Sequence, residues 1–365
     1  MEQQEFDFSV LVITYNHQRF IRQCLDSILQ QQFTGKIQVV IGIDKCADST
    51  LEICRDYQQR YPNLVELLVH EQNVGMYRNF CETLRRCQGK YIAILEGDDY
   101  WTDPSKLQLQ YDFFEEHPFC VLSAGYVELV NEHSNKIGED QIKLKTGTVL
   151  LREEIIIINR LHTLTVAFRK SAIRWDQLEK LDRSPHLDWG IFIMLIYPGA
   201  GFAYKFPKFF GAYRLHNGGI YSQIDEQKRI QNVLKTIFYN AQLDLEPIHR
   251  DYLQTLFANY AMKLQSPEFL QQEPYRSFYD RRRVIYNKGH RLKTRFVGRL
   301  YRHLFSFLKR NGYGRVRLIL DLELLRQTRR SRKDLFHPLL LPVVPFYFLL
   351  RTKDIFHKTR LYIKK

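Results

Sequence analysis

Tyr91-Ile-Ala-Ile-Leu-Glu-Gly-Asp-Asp-Tyr-Trp101 reads as a strand that runs into acid. Tyr91 to Leu95 is apolar throughout, the pattern of a strand covered on both faces. Glu96-Gly97-Asp98-Asp99 then puts three carboxylates within four residues. Neighbouring carboxylates repel one another unless a cation lies between them. Oxygen ligands beside a phosphate suit Mg2+ or Mn2+, which can bridge to a diphosphate. A solvated acidic turn, capping a helix that begins near Pro104, would use the same residues without a cation. The neighbouring sequence decides between the two.

Upstream, Phe8 to Ile13 is apolar except for Ser9, again a doubly covered strand. Gln18 to Gln32 places Phe20, Ile21, Cys24, Leu25, Ile28 and Leu29 on one helical stripe. Strands follow at Ile37–Ile43 and Leu64–Val69, with helices near Ser49–Arg60 and Met76–Cys87. This alternation predicts an α/β fold with a doubly wound, mostly parallel sheet. Ligands bind such sheets beyond the carboxyl ends of the strands. Those ends carry Thr14-Tyr15-Asn16, then Asp44, then Asn73 and Gly75, then the acidic turn. Four successive strand ends with polar chemistry favour a binding site over a solvated turn. Beyond Cys120 the pattern predicts short strands at Val121–Val130 and Leu164–Phe168 and a helix near Asp188–Ile196; residues 226–275 read as helical.

Several motifs agree in order. Val10 to His17 (VLVITYNH), Ile41 to Asp44 with Asp48-Ser-Thr, Asn73-Val-Gly75 with Arg78-Asn79, and Leu95 to Trp101 come first. Asp188-Trp189 and Tyr213-Arg-Leu-His216 with Gly218-Gly219 complete the set. Over residues 6–222 the chain resembles the family 2 glycosyltransferases, inverting nucleotide-sugar-dependent enzymes of the GT-A fold. The resemblance implies that Thr14, Tyr15 and Asn16 open the loop that holds the nucleotide base and that Asp44 binds that base. Asn73, Gly75 and Arg78 fall in the motif expected beside the nucleotide sugar. Asp98 resembles the residue near the ribose and diphosphate, Asp99 the residue that meets a Mn2+ or Mg2+ ion. Asp188 resembles the general base, and His216 stands where some members place an added metal or diphosphate ligand. Two positions depart from the pattern: Ile13 replaces a proline, and Glu96 replaces an aspartate in the acidic cluster. The longer Glu96 side chain keeps it off the set of expected metal ligands.

Each of these residues also has a plainer use. Asp188 fits a helix cap or first-turn acid, Arg78 a solvated helix face, and Trp101 and Trp189 a core as well as a sugar platform. His186 is a bare neighbour of Asp188.

Composition narrows the class. A content of 45% hydrophobic and 14% aromatic residues belongs to a core-forming chain and excludes a disordered one. Met1 to Asp7 has neither the basic nor the apolar region of a signal peptide. No apolar run reaches the ~18 residues that would span a bilayer. The six cysteines contain no C-x-x-C pair, which argues against a zinc site; Cys24, Cys54 and Cys81 fall on apolar helical faces and read as buried thiols, in a reducing cytoplasm. The net charge of +14 is uneven. Residues 276–365 hold 25 Lys and Arg against 5 Asp and Glu, so an acidic body carries a strongly basic tail. In that tail Leu292, Phe296, Leu300, Leu304 and Leu308 form an apolar stripe flanked by Arg291, Arg295, Arg299 and Arg302. Such a helix is expected to lie on an anionic membrane surface. Nucleic acid is the rival anion but no recognition motif accompanies the charge; an oligomerisation helix pair is the third reading.

The expected organisation is a catalytic domain over residues 1–225, its nucleotide half ending near 118 and its acceptor half spanning 119–225. A helical segment over 226–275 and the basic tail over 276–365 follow. The expected activity is transfer of a sugar from a nucleotide-diphosphate donor, a UDP-sugar, to a hydroxyl of a glycan or lipid-linked acceptor. The expected setting is bacterial surface polysaccharide assembly at the inner face of the cell membrane. A non-catalytic sugar-binding module and a nucleic-acid-associated nucleotidyltransferase are the alternatives.

Overall fold

The apolar runs pair as their two-sided patterning requires. A computed structural model describes residues 6–140, 147–150, 152–197, 201–219, 224–266 and 268–279. The first part of the chain is built from β1 (Phe8–Thr14), α1 (Ile21–Leu29), β2 (Ile37–Ile43), α2 (Thr50–Arg60), β3 (Val65–Val69), α3 (Gly75–Arg86) and β4 (Tyr91–Glu96). Next come β5 (Tyr100–Trp101), α4 (Lys106–Glu116), β6 (Cys120–Asn131), β7 (Lys136–Glu139) and β8 (Thr148–Leu150). The described chain closes with α5 (Arg152–Ile157), β9 (Ala167–Arg169), α6 (Trp175–Leu178), α7 (Leu187–Ile196), β10 (Phe202–Leu215), α8 (Glu226–Asn240), α9 (Pro247–Ala261) and α10 (Glu268–Gln271).

The strands form one sheet in the order β3-β2-β1-β4-β9-β6-β10-β5, with β7 on β6 and β8 on β10. β3, β2, β1 and β4 are mutually parallel, as is the β6–β10 pair; β9 joins the two groups antiparallel to each. Alternate residues of β1 serve opposite cores. Val10 and Val12 pack with Ile21, Cys24 and Ile28 of α1, while Leu11 packs on the α3 side with Phe80 and Leu84. Ser9 interrupts the apolar run because it is a buried polar link. Its hydroxyl donates to Gln38 Oε1 at 2.6 Å and accepts the Gly89 N–H at 2.8 Å.

Gly42 sets how closely α3 approaches the sheet. A Cβ there would lie 2.0 Å from Thr83 Oγ1 and 2.3 Å from Asn79 Oδ1. Asn79 uses that approach to donate to the Gly42 carbonyl at 3.0 Å, so the start of α3 is carried to the end of β2.

The expected strand over Leu164–Phe168 is divided. Thr163–Thr165 is a 3-10 turn, and only Ala167–Arg169 pairs as β9. Local side-chain bonds explain the break. Thr165 Oγ1 donates to His162 O at 2.8 Å, and Trp101 Nε1 donates to Leu164 O at 2.7 Å. β10 meets β6 through register shifts between Phe202/Ala203, Lys205/Phe209 and Phe209/Gly211, then runs in regular register from Gly211 to Leu215. Ile230, Leu234 and Ile237 of α8 and Leu253 and Phe257 of α9 join the apolar cluster of Phe192 and Ile193 in α7. The helical pattern over 226–275 therefore builds part of the core.

All six thiols are free, and every one but Cys46 is buried. Among the described residues no helix is long and apolar enough to cross a membrane. The amphipathic helix expected over 292–308 lies outside the described residues.

Candidate active site

The loops after β1 and β2 are bonded into one rim. Asn16 adopts φ 56°, a left-handed conformation asparagine tolerates. That turn lets its Oδ1 accept the Ala47 N–H at 2.8 Å. His17 N–H donates to Thr50 Oγ1 at 2.8 Å, and Gln18 N–H to Asp48 Oδ2 at 3.0 Å. Asp44, at the end of β2, is 4% exposed. It accepts the N–H groups of Lys45, Val74 and Gly75, each at 2.9 Å. Asn73 Oδ1 accepts the Gly75 N–H as well, at 3.1 Å, and Gly75 has φ 80°. Asp44 thus latches the turn that starts α3. Beside it lies a cleft of about 430 Å³ lined by Asp44, Cys46, Arg55, Val69, His70 and Glu71. Thr14 is buried under this rim, while Tyr15 is 46% exposed on it.

The acidic turn sits next to the rim. Gly97 makes the approach possible, because a Cβ there would come within 2.6 Å of Thr14 Oγ1 and 2.9 Å of His17 Nδ1. Asp98 Oδ2 lies 3.0 Å from His216 Nε2 and 3.8 Å from His17 Nε2. Burial opposes ionisation of Asp98, but the His216 hydrogen bond and the two imidazoles outweigh it and hold its pKa below the usual range. Asp99 has the opposite fate. It is 2% exposed, and burial and the adjacent carboxylates push its pKa well up. Its Oδ1 accepts the Arg214 N–H at 2.8 Å. The metal contact expected of Asp99 therefore meets a carboxylate turned into the protein, while Asp98 is the one flanked by imidazoles.

Arg214 organises this turn. Its Nε donates to Asp98 O at 2.8 Å, and its remaining nitrogens reach Gln23 Oε1 at 2.6 Å, Ser134 Oγ at 3.0 Å and Glu132 O at 3.2 Å. Glu96 ends β4 with one carboxylate oxygen buried and unpartnered among the described residues. Burial first, then Asp98 and Asp188, push its pKa up to about 8. Tyr213 faces all four acids: burial and then Asp99, Glu96, Asp98 and Asp188 raise its pKa.

Asp188 lies in the first turn of α7, where the helix dipole favours a carboxylate. Its Oδ2 accepts Asn159 Nδ2 at 2.6 Å. Burial raises its pKa above the usual range against the opposing effects of His186, the Trp189 N–H and Asn159. His186 is engaged elsewhere, its Nδ1 2.7 Å from Thr236 Oγ1. Both tryptophans are in the core. Trp101 and Trp189 are 4% and 6% exposed, and Trp189 Nε1 donates to Ile155 O at 2.6 Å. Arg78, expected beside the nucleotide sugar, stands 61% exposed in an i,i+4 ion pair with Glu82 at 2.6 Å. The structure does not bring it to the acidic turn by any described contact.

Residues 9–175 match the sequence profile of the family described as Glycosyl transferase family 2. The chain carries a glycosyltransferase family 2 domain. An uncharacterized protein of Mycobacterium tuberculosis is 29% identical over 249 residues, covering 67% of this chain and 70% of its own. The minor teichoic acid biosynthesis protein GgaA of Bacillus subtilis is 26% identical over 184 residues, 46% of this chain and 41% of that protein. The crystal structure of Staphylococcus aureus TarS 1–349 in complex with UDP-GlcNAc superposes with a TM-score of 0.54 at 20% identity, covering 75% of this chain and 78% of that one. That likeness shows the GT-A fold. The protein is a glycosyltransferase, related to teichoic acid biosynthesis proteins.

Within this glycosyltransferase the chemistry divides in two. One side has a cleft, a latched loop and the Asp98–His216 pair; the other has a carboxylate, Asp188, on a separate helix. His17, Arg214, Tyr213 and Asn159 were missing from the expected site. The first three stand inside the motifs that carry the family resemblance, so the signal was present; Asn159 lies in a loop with no motif to single it out.

Proposed function

We propose that this glycosyltransferase transfers a sugar from a nucleotide diphosphate, a UDP-sugar, to an acceptor hydroxyl with inversion at the anomeric carbon. One observation carries the reading: Asp188 and Asp98 come from different elements, yet both stand close enough to the buried Glu96 and to Tyr213 to raise the pKa of each. A donor diphosphate near Asp98 and an acceptor hydroxyl at Asp188 would thus share one small volume. Inversion needs one base on the face opposite the leaving group, and Asp188 is that base. The nucleotide base occupies the cleft beside Asp44, with Thr14, Tyr15 and Asn16 on its rim and Asn73 and Gly75 behind it.

Among the described residues no group of three or more His, Cys, Asp or Glu side chains is arranged to hold a metal ion by itself. Two side chains do converge, Asp98 and His216, 3.0 Å apart. This fits Mg2+ or Mn2+, which commonly take one or two protein carboxylates and complete their shell with substrate phosphates and water. Asp98 and His216 are then the residues that hold it, not Asp99. When bound, the ion neutralises charge on the departing diphosphate without proton traffic. Asp98 orients the diphosphate, and Arg214 keeps Asp98 from turning away.

The family relationship to GgaA supports a surface polymer as acceptor, on a lipid-linked or growing glycan. The basic tail supports work at an anionic membrane face, where each engaged Lys or Arg adds ~1 kcal/mol. The intact protein is expected to sediment with anionic but not neutral vesicles, and to be released by salt. Preference for DNA over anionic vesicles would overturn the membrane reading.

A non-catalytic sugar-binding module would have no use for a buried carboxylate at Asp188, and a nucleotidyltransferase would line its cleft with the basic surface. Incubation of the protein with assorted nucleotide sugars and Mn2+ tests the assignment. Slow hydrolysis of a UDP-sugar, releasing UDP, is expected. Failure to bind or hydrolyse any nucleotide sugar would leave the transferase reading without a donor and would reject it.

A further inference from the structure

The loop from Asn159 to Thr163 reaches Asp188 directly with one side chain. Asn159 Nδ2 donates to Asp188 Oδ2 at 2.6 Å. Asn159 Oδ1 accepts the Leu161 N–H at 3.1 Å. The second bond fixes the amide's orientation: its oxygen must meet the N–H, so its NH2 must meet the carboxylate. Four residues on, Thr163 is near enough to Glu96 to favour its ionised form, against the larger effect of burial. Between them His162 Nε2 lies 3.0 Å from Asp140 Oδ1. Asp140 Oδ2 takes Lys205 Nζ at 3.3 Å, and the same nitrogen donates to Arg160 O at 3.2 Å. Lys205 is a residue of β10, so the sheet itself anchors the loop that presents Asn159.

We propose that Asn159 is a positioning residue for the base: its amide fixes one oxygen of Asp188 and so sets the direction from which the acceptor hydroxyl must approach. The inference rests on Asp188 being the base. A carboxylate with both oxygens free can rotate; one held at 2.6 Å by an amide that is itself pinned cannot. As the acceptor oxygen attacks the anomeric carbon, the bond from that carbon to the diphosphate oxygen breaks and the nucleotide diphosphate leaves with the electron pair, while the acceptor's proton goes to the Asp188 carboxylate.

The same bond favours the ionised form of Asp188, because an N–H donor stabilises the carboxylate. Other groups acting on Asp188 are His186 at the start of α7, His162 in the loop, Glu96 at the end of β4 and Tyr213 on β10. All of these stay in place when Asn159 alone is changed, so the shift read out belongs to the amide.

The test is the pH profile of turnover in the full chain. Asn159→Leu keeps the volume and removes both bonds. Its acid limb is expected to move up by about one pH unit, with plateau turnover lowered and UDP affinity unchanged. Asn159→Asp, nearly isosteric, sets a second carboxylate against Asp188 and is expected to move the limb further in the same direction. A role confined to holding the loop would lower the melting temperature of both variants and leave the limb where it was. An unmoved limb in either folded variant overturns the proposal. Asp188→Asn, measured alongside, separates the two ideas: if it turns over normally the base reading has failed, and if it is inactive while the limb is unmoved only the role of Asn159 has.

Discussion

Asp188→Asn is expected to lower turnover by roughly 10²–10⁴-fold, the usual cost of losing a general base. The amide matches the carboxylate in size and can still accept from Asn159 through its oxygen, so the first turn of α7 should fold as before. It cannot take a proton at neutral pH. UDP affinity should be unchanged, because none of the described partners of Asp188 belongs to the rim formed by the loops after β1 and β2. Steady-state kinetics and a UDP titration on one preparation check both halves. If Asp188 served only as a first-turn acid, an amide would hold the helix start nearly as well, and turnover would stay within a few-fold. That outcome would move the base elsewhere.

The second large effect belongs to the acidic turn. Asp98→Asn is expected to abolish the enhancement of UDP binding by Mn2+ and to cut turnover by about 10²–10³-fold, consistent with a cation worth several kcal/mol at the transition state. Asp99→Asn provides the contrast. Burial already drives that carboxylate toward its protonated form, and its Oδ1 needs only to accept the Arg214 N–H. An amide does the same, so the response to Mn2+ should survive. Calorimetric titration of UDP with Mn2+ and with EDTA decides the matter for all three proteins. Equal affinity in both buffers for the unaltered protein would remove the cation from the scheme. Loss of the Mn2+ response in Asp99→Asn but not Asp98→Asn would return the ligand role to Asp99.

The sequence was most legible where a single physical rule governed the outcome. β1, β2 and β4 had to be buried on both faces, because their apolar residues do not alternate with polar ones, and each appeared within one residue of its expected bounds. Polar strand ends marked the rim and the acidic turn because four of them came in succession, which a solvated turn at one strand end does not explain. The different surroundings of Asp98 and Asp99 could not be read that way. Two adjacent acids look alike in sequence, and what separates them is the partner each meets, His216 for one and the Arg214 N–H for the other, both supplied from more than a hundred residues away. Leu164–Phe168 misled because its composition suits a strand while the Thr165 hydroxyl donates to the His162 carbonyl three residues back. Arg78 lay in a matching motif, yet Glu82 one turn along the helix claims it.

The register shifts in β10 bear on how such a protein can change over time. Tyr213 and Arg214 lie in the last regular stretch, Gly211 to Leu215, where each residue has a fixed partner on β6, and His216 follows directly after it. On a strand, moving one place along turns a side chain to the opposite face, so a slip here would exchange the histidine for a neighbour. Upstream, between Phe202 and Gly211, the pairing is already broken in three places, and bulges of that kind absorb an extra residue locally. A codon gained or lost there can be taken up before it reaches Gly211. That stretch of β10 is thus free to lengthen or shorten among descendants, while the histidine beside Asp98 keeps its aim.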